Sequence, residues 1–152
     1  MERNRTYLFK MLLPLIILFC GIEGTMAITE VHVDKTGTLS TLLTQSESKL
    51  KITGYINGSD VKHLRRLINA GTVTDLDISG VEIVSGGEAY NGSHTTENGI
   101  IGESMFHQCG NLKSIVLPPG ITEIKAAAFA NTSLRKIDIP DAVSRIDRDA
   151  IG

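Results

Sequence analysis

The sequence predicts an α/β repeat fold, in which short strands stack into a sheet as a solenoid behind an N-terminal α+β cap. Two observations support this prediction. One segment of the chain repeats its apolar pattern at an interval of about 22 residues, and the segment before it alternates strand and helix patterns. With no Trp, four Phe and three Tyr, the core must also be filled mainly by Leu, Ile and Val, which suits thin stacked layers.

The repeat covers residues 106–151. Phe106 and Phe129 are 23 residues apart and the later matches are 22 apart, so one residue is lost near Cys109. The later matches are Leu112/Leu134, Ile115/Ile137, Leu117/Ile139, Pro118/Pro140, Ile121/Val143, Ile124/Ile146 and Ala128/Ala150. A period in the low twenties with L-x-x-I-x-L spacing is the signature of a leucine-rich repeat, whose units bury their apolar faces only by stacking.

The first 27 residues have the pattern of a Sec-type secretory signal peptide. Basic residues come first, a short apolar run follows, and Thr25-Met-Ala27 offers the small residues that a signal peptidase reads. We therefore expect cleavage after Ala27 and no transmembrane span in the mature chain. Two alternatives are an uncleaved anchor and a lipid anchor at Cys20. Phe19 disfavours the second, because it stands where lipidation needs a small residue.

Residues 28–72 are predicted to form the cap. Residues 30–34 alternate apolar and polar side chains as in a strand. A short amphipathic helix should run from Leu39 to about Ser48, and a second strand should occupy residues 49–56, with its lysines on one face.

A second helix should follow the Asn57-Gly58 turn, with Ser59 or Asp60 as its cap. Its apolar stripe is Val61, Leu64, Leu67 and Ile68, and Gly71 is the expected left-handed residue just past its end. The basic residues of this helix are interpreted as a solvated polar face.

Residues 73–152 should hold about three repeats, the last one incomplete. Val73, Leu76 and Ile78 take the places of Leu112, Ile115 and Leu117 in a first, irregular repeat. A polar, Gly-rich insertion at residues 85–98 interrupts it. Insertions in solenoids emerge as loops on one face and are often binding sites.

Composition and spacing argue against several classes of function. A net charge of -2 is unlike the positive excess of nucleic-acid-binding domains, so we expect no nucleic-acid partner. The four histidines lie on different predicted elements, without a zinc motif, and Gly102-Glu-Ser104-Met-Phe106 lacks the second glycine of a nucleophile elbow. We expect no metal, no cofactor and no enzymatic activity. Cys109 is interpreted as a small, half-buried structural residue.

The segment from Phe106 to Ile124 resembles the repeat of the BspA-like bacterial surface leucine-rich-repeat proteins. The likeness extends upstream to residues 50–60 and 76–80, which are similar to the N-terminal part of exported members from Bacteroides-type bacteria. The resemblance implies a secreted or cell-surface protein without catalytic residues. It also implies adhesion or host interaction, with matrix proteins such as fibronectin and fibrinogen among the family's ligands.

Alternate side chains of the repeat strands should face out of the sheet. This places a candidate ligand face on three repeats: Asp75, Asp77, Ser114, Val116, Lys136 and Asp138. The predicted function is an exported cell-surface binding module for a protein ligand. The alternative is a truncated or structural repeat unit with no independent ligand, because the layer before Gly152 should expose an unpaired edge and an uncovered apolar face.

Overall fold

The computed structural model describes residues 27–43, 46 and 48–152. The predicted signal peptide, with Cys20, lies outside them except for Ala27. In chain order the elements are β1 (Ile28–Val33), α1 (Leu39–Leu42), β2 (Lys49–Ile56), α2 (Gly58–Asn69), β3 (Asp75–Ile83), β4 (Gly86–Asn91), β5 (His94–Thr96), β6 (Ile100–Ile101), β7 (Ser114–Val116), β8 (Glu123–Ile124) and β9 (Arg145–Ile146). Within the described part of the chain, neither helix is long and apolar enough to cross a membrane.

The main sheet is parallel, with strand order β1-β2-β3-β7. Its register aligns Leu50 with Leu76 and Leu76 with Ile115, and all three side chains are buried. The strand predicted at residues 49–56 is therefore confirmed, the segment after Val73 contributes a strand in register with β7, and β1 begins slightly earlier than expected. Parallel strands covered by helices bury a common apolar row, so the predicted cap strands and the first repeats share one core.

Helix α1 is much shorter than the sequence predicts. We expected it to reach about Ser48, but it ends at Leu42, and Leu43 already has non-helical backbone angles (φ -108, ψ 84). Thr38 makes no side-chain capping bond and the first turn has no acidic residue. A single turn without these contributions does not propagate, because helix nucleation is costly.

Helix α2 begins two or three residues earlier than predicted. Its N-cap is Asn57, not Ser59 or Asp60, and Asn57 Oδ1 accepts a hydrogen bond from the Ser59 N–H at 3.0 Å. Asp60 instead closes a capping box by accepting from the Asn57 N–H. At the other end Gly71 has φ +76, as expected for the residue just past a helix.

The carboxylate of Asp60 also joins α2 to the turn before α1. Its Oδ2 accepts from the Gly37 N–H at 2.7 Å and its Oδ1 accepts from the Leu39 N–H at 3.0 Å. Asp60 and Leu39 are both buried, so the carboxylate satisfies a donor of Leu39 that has lost its access to water. One buried acidic residue thus satisfies three backbone N–H groups at two helix starts.

The basic face of α2 is solvated only in part, with Arg66 exposed and Lys62 partly covered. Lys62 forms an ion pair with Glu88, and the guanidinium of Arg65 donates to the carbonyl oxygens of Ser104 and Met105. Arg65 Nη1 also lies 3.7 Å from Cys109 Sγ. Part of this face is covered because later parts of the chain fold back over α2.

Residues 85–98 form a β-hairpin of β4 and β5, not the free loop expected of an insertion. The hairpin lies so close to α2 that a Cβ on Gly58 would collide with the carbonyl oxygen of Glu88. Tyr90 is buried and its hydroxyl donates to the Glu103 carbonyl at 2.9 Å. The insertion is therefore a packed part of the first repeat.

A second parallel ladder, with order β6-β8-β9, joins the return segments of the repeats. It pairs Ile101 with Ile124 and Ile124 with Ile146. Between the ladders, Phe106 N–H donates to the Ala128 carbonyl and Phe129 N–H donates to the Ala150 carbonyl. Each layer thus hydrogen-bonds to the next through strand and turn alike, as stacking of repeats requires.

Non-glycine residues with positive φ recur at matched positions in the layers. Ser104, Ala127 and Asp149 have φ of +56, +53 and +58, and Gln108 and Asn131 have φ of +60 and +58. Gln108 and Asn131 are still 23 residues apart, whereas Leu112 and Leu134 are 22 apart. The single-residue loss therefore lies between these positions, beside Cys109 as predicted.

The third repeat differs from the first two. Residues 134–139 were expected to form a strand but have no strand hydrogen bonding, and the main sheet ends at β7. Leu134, Ile137, Ile139 and Val143 are only partly buried, and Ile146 is 48% exposed. No described layer covers this face, so the segment lacks part of the apolar burial that holds the earlier strands flat. The uncovered apolar face expected in the last layer is confirmed.

Candidate functional site

The outward side of the main sheet carries two rows of side chains that cross all four strands. The strand register aligns Ile28, Lys49, Asp75 and Ser114 in one row and Glu30, Lys51, Asp77 and Val116 in the other. We refer to these eight residues as the strand face. A depression of about 190 Å³ lies on it, and its ends are apolar because Ile28 is 44% and Val116 is 52% exposed.

The charges of the strand face alternate in sign from one strand to the next. Glu30 and Lys51 are in register and form an ion pair at 3.5 Å. Lys51 in turn is in register with Asp77, and Lys49 with Asp75. Opposite charges directly across parallel strands attract each other weakly at an exposed surface. The face therefore offers a ligand both signs of charge within one small area.

Both carboxylate oxygens of Asp75, on the strand face, accept hydrogen bonds. Its Oδ1 accepts from Ser114 Oγ at 2.6 Å and its Oδ2 accepts from Thr74 Oγ1 at 2.7 Å. Partial burial alone would raise the pKa of Asp75, but these two hydrogen bonds, with Lys49 and Lys113 nearby, outweigh it and lower the pKa. Asp75 is thus held ionised and oriented by residues of two repeats.

The structure brings together four of the six candidate residues predicted from the sequence. Asp75 is paired with Ser114, and Asp77 with Val116. Lys136 and Asp138 form an exposed ion pair with each other at 2.7 Å, but they lie on the segment that does not join the sheet. The contribution of the cap was missed: the alternation in residues 28–33 and 49–56 shows which side chains face outward, but not which strands adjoin.

A larger groove of about 970 Å³ opens at the carboxyl ends of β1, β2 and β3. Its lining comes from His32 and residues 53–55, 79–84, 98–99 and 118–122. The groove exists because β3 continues past the end of β7 into the hairpin, whereas the next repeat turns away at Pro118-Pro119. No sequence motif marked it, since it depends on the different lengths of neighbouring strands.

The groove is lined by both polar uncharged and apolar side chains. His32 Nδ1 lies 2.7 Å from Thr53 Oγ1, and its other ring nitrogen lies 3.2 Å from Asp34. Tyr55 is 47% exposed and Glu82 is the one carboxylate among the lining residues. Across the described residues, no cluster of three or more His, Cys, Asp or Glu side chains has a metal-binding arrangement.

Sequence comparison agrees with the repeat geometry. Residues 92–151 match the family described as BspA type Leucine rich repeat region (6 copies). The match covers the second strand of the hairpin, β7 and the whole β6-β8-β9 ladder. No curated protein is significantly similar in sequence to this chain. The parallel ladders, the recurring left-handed positions and this match together identify residues 92–151 as a BspA-type leucine-rich-repeat region.

Proposed function

We propose that this protein is an exported cell-surface binding module that holds a protein ligand, such as a host matrix protein, on its strand face. Leucine-rich repeats generally present a protein-binding surface. The observation that carries the proposal is the register that places Lys49 and Lys51 of β2 directly beside Asp75 and Asp77 of β3. In this proposal the repeats form a solenoid that begins at the cap of residues 28–72.

The shape and chemistry of the strand face fit a protein partner. Exposed apolar side chains at its two ends flank the charged centre, so a ligand can combine apolar burial with ion pairs of both signs. Charged pairs of this kind contribute mainly to specificity and association rate, whereas Ile28 and Val116 provide area for burial. Enzymatic activity forms no part of the proposal.

The test is binding to immobilised fibronectin and fibrinogen, measured by biolayer interferometry. We expect the double variant Asp75→Lys with Asp77→Lys to weaken binding at least tenfold. The control Glu103→Lys with Asp141→Lys makes the same change in net charge at exposed positions outside the strand face. Equal binding by the two variants and the wild type, with all three melting cooperatively, would exclude the strand face as the site.

Export is proposed from the N-terminal sequence pattern. Expression of the full chain in a bacterial host should yield an exported protein whose N-terminal residue is Ile28, as determined by N-terminal sequencing. Arg3→Glu with Arg5→Glu should reduce export, because a signal peptide requires a basic start. Retention of the uncleaved chain in the cytoplasm would contradict this part of the proposal.

A structural role is the second candidate, favoured by the partly covered third layer. Ile146 and Ile151 are 48% and 45% exposed, and four further apolar residues of this layer are only half-buried. A repeat unit that assembles with other copies would cover this face. Sedimentation of a stable monomer at micromolar concentration, together with matrix binding, would favour the binding module over the structural unit.

A further inference from the structure

Strand β3 is much longer than the strand beside it. It has nine residues, but β7 pairs only with Asp75, Leu76 and Asp77. Beyond Asp77, no described strand pairs with β3 on this side, and the next contact is the hydrogen bond from the Gly99 N–H to the Ile83 carbonyl. The edge of β3 between these points therefore faces the groove.

The backbone of Val81 is directed to this open side. The Val84 N–H donates to Ile56 of β2, whereas the Ile83 carbonyl accepts from Gly99 on the opposite side. Hydrogen-bonding direction alternates along a strand, so Val81 presents its N–H and C=O to the same side as the Ile83 carbonyl. The open edge thus offers a donor and an acceptor in the geometry of a sheet.

The groove has the dimensions of one added strand. Residues 79–83 span roughly 13 Å at about 3.3 Å per residue, which matches a peptide of four or five residues. The facing wall is the turn Pro118-Pro119-Gly120, and Tyr55 stands exposed beside Glu82 on the paired strand. An extended segment placed here would continue the line of β7 along β3.

The charge of the groove indicates which side chain such a peptide carries. Glu82 is exposed, and the lining residues among those described include no Lys or Arg. A cationic side chain opposite Glu82 is therefore attracted, and an acidic one is not. Because side chains of a strand alternate between faces, one Lys or Arg on the Glu82 side suffices.

We propose that this groove binds an extended peptide segment of a partner protein, which adds to the edge of β3 as a strand and directs a Lys or Arg side chain to Glu82. This mode of recognition is β-strand addition, in which main-chain hydrogen bonds provide affinity and side-chain pockets provide specificity. The inference rests on the proposed function as a protein-binding module, but it concerns a surface separate from the strand face.

The test starts from a displayed library of linear 12-residue peptides, selected on the purified protein. Gly120 lines the groove, has no left-handed φ, and has no heavy atom within 4 Å of an added Cβ, so Gly120→Trp fills the groove without strain. Gly110 has the same properties in a turn that does not line the groove, which makes Gly110→Trp the matched control. We expect selected peptides rich in Lys or Arg that bind Gly120→Trp at least tenfold more weakly and Gly110→Trp within twofold.

Two further variants test the mode of binding. Val81→Pro removes the N–H directed into the groove without removing a bond to β2, and Val81→Ala keeps that N–H while losing a similar buried side chain. We expect a loss of at least tenfold for Val81→Pro relative to Val81→Ala, and a comparable loss for Glu82→Lys. Alternate N-methylation of the peptide should weaken binding with a two-residue period.

Several results would overturn the inference. These are selected peptides that bind Gly120→Trp as well as the wild type, no selected peptide at all, or equal binding by Val81→Pro and Val81→Ala. A glycan-array signal removed by Gly120→Trp, in the absence of any selected peptide, would assign the groove to carbohydrate instead. The Asp75→Lys, Asp77→Lys variant should retain peptide binding while losing matrix binding, so failure at one surface is distinguishable from failure at the other.

Discussion

The ring of Phe106 lies against the ring of Phe129, with their centroids 5.6 Å apart and their planes 6° from parallel. Both rings are 1% exposed, and they occupy the same position in successive repeats. Each backbone N–H is bonded to the layer that follows it. The pair therefore fixes the spacing of the layers from inside, where the small side chains of Ala128 and Ala150 leave room for aromatic rings.

Removing the ring of Phe129 from this pair should destabilise the whole protein. Phe129→Ala leaves a cavity between layers, and we expect the free energy of unfolding to fall by about 3 to 5 kcal/mol. Phe129→Leu keeps most of the apolar volume but not the ring contact, so it should lose only about 1 kcal/mol. Urea denaturation followed by circular dichroism gives both values, and equal losses in the two variants would show that the cavity is irrelevant.

Ala127 should be a site of stabilisation. Its φ of +53 is a left-handed conformation that costs an L-residue about 1 to 2 kcal/mol. Ala127→Gly removes that strain at a smaller cost in unfolded-chain entropy, so we expect a gain of about 0.5 kcal/mol in unfolding free energy. Ala130→Gly, where φ is not positive, should lose about 0.5 to 1 kcal/mol. A loss in both variants would contradict the assigned strain.

Cys109 should react only when the protein opens. The thiol is fully buried, not half-buried as the sequence suggested. Burial raises its pKa, and the nearby Arg65 guanidinium offsets part of the rise. In a Cys20→Ser background, we expect modification by iodoacetamide at pH 8 to be at least a hundredfold slower than in urea, since the thiolate is scarce and shielded.

The same labelling experiment measures how much Arg65 stabilises the closed structure around Cys109. Its removal in Arg65→Ala frees the carbonyls of Ser104 and Met105, and about 1.5 kcal/mol of lost hydrogen bonding corresponds to roughly tenfold faster labelling. Lys62→Ala removes another cationic contact of α2 and should leave the labelling rate unchanged. Rapid labelling of the native wild type would contradict the buried position.

Asp75 should make stability depend on pH in the acid range. Its pKa is lowered in the folded state, so the carboxylate stabilises the fold fully above its unfolded value near 3.8. That contribution is lost as the pH falls through the lower folded value. Ser114→Ala should raise the pKa of Asp75, measured by NMR titration of the carboxyl carbon, whereas Ser93→Ala in the hairpin should not. An unchanged pKa in Ser114→Ala would exclude the cross-strand bond.

The repeats could be predicted because each apolar position in them has one role. Leu112, Ile115 and Ile124 recur at fixed intervals, and all three are buried. The position of Gly71 just past the end of α2 could also be predicted, since few other residues tolerate its positive φ. Asp60 was not, because its partners Gly37 and Leu39 are more than twenty residues away and only the folded chain brings them near.

The sequence contains a turn signal that could have predicted the hairpin at residues 85–98. Gly92-Ser93 lies between the paired residues Asn91 and His94, and a Gly-Ser pair between strand-forming residues typically marks a two-residue hairpin turn. The packing of the hairpin on α2 could not be predicted, because it depends on the absence of a side chain at Gly58, which lets the backbone of Glu88 lie against the helix. The groove follows from that packing, so it could be recognised only from the structure.

The two parallel ladders also determine how the protein responds to mechanical force. Their strands run across the direction in which the layers are stacked, so a pull along the stack strains the hydrogen bonds at one layer boundary at a time. Each layer contacts only its neighbours, and the partly covered layer that contains Ile146 has the least burial to lose. Under tension we expect it to detach first and at low force, while the sheet that carries the strand face remains intact.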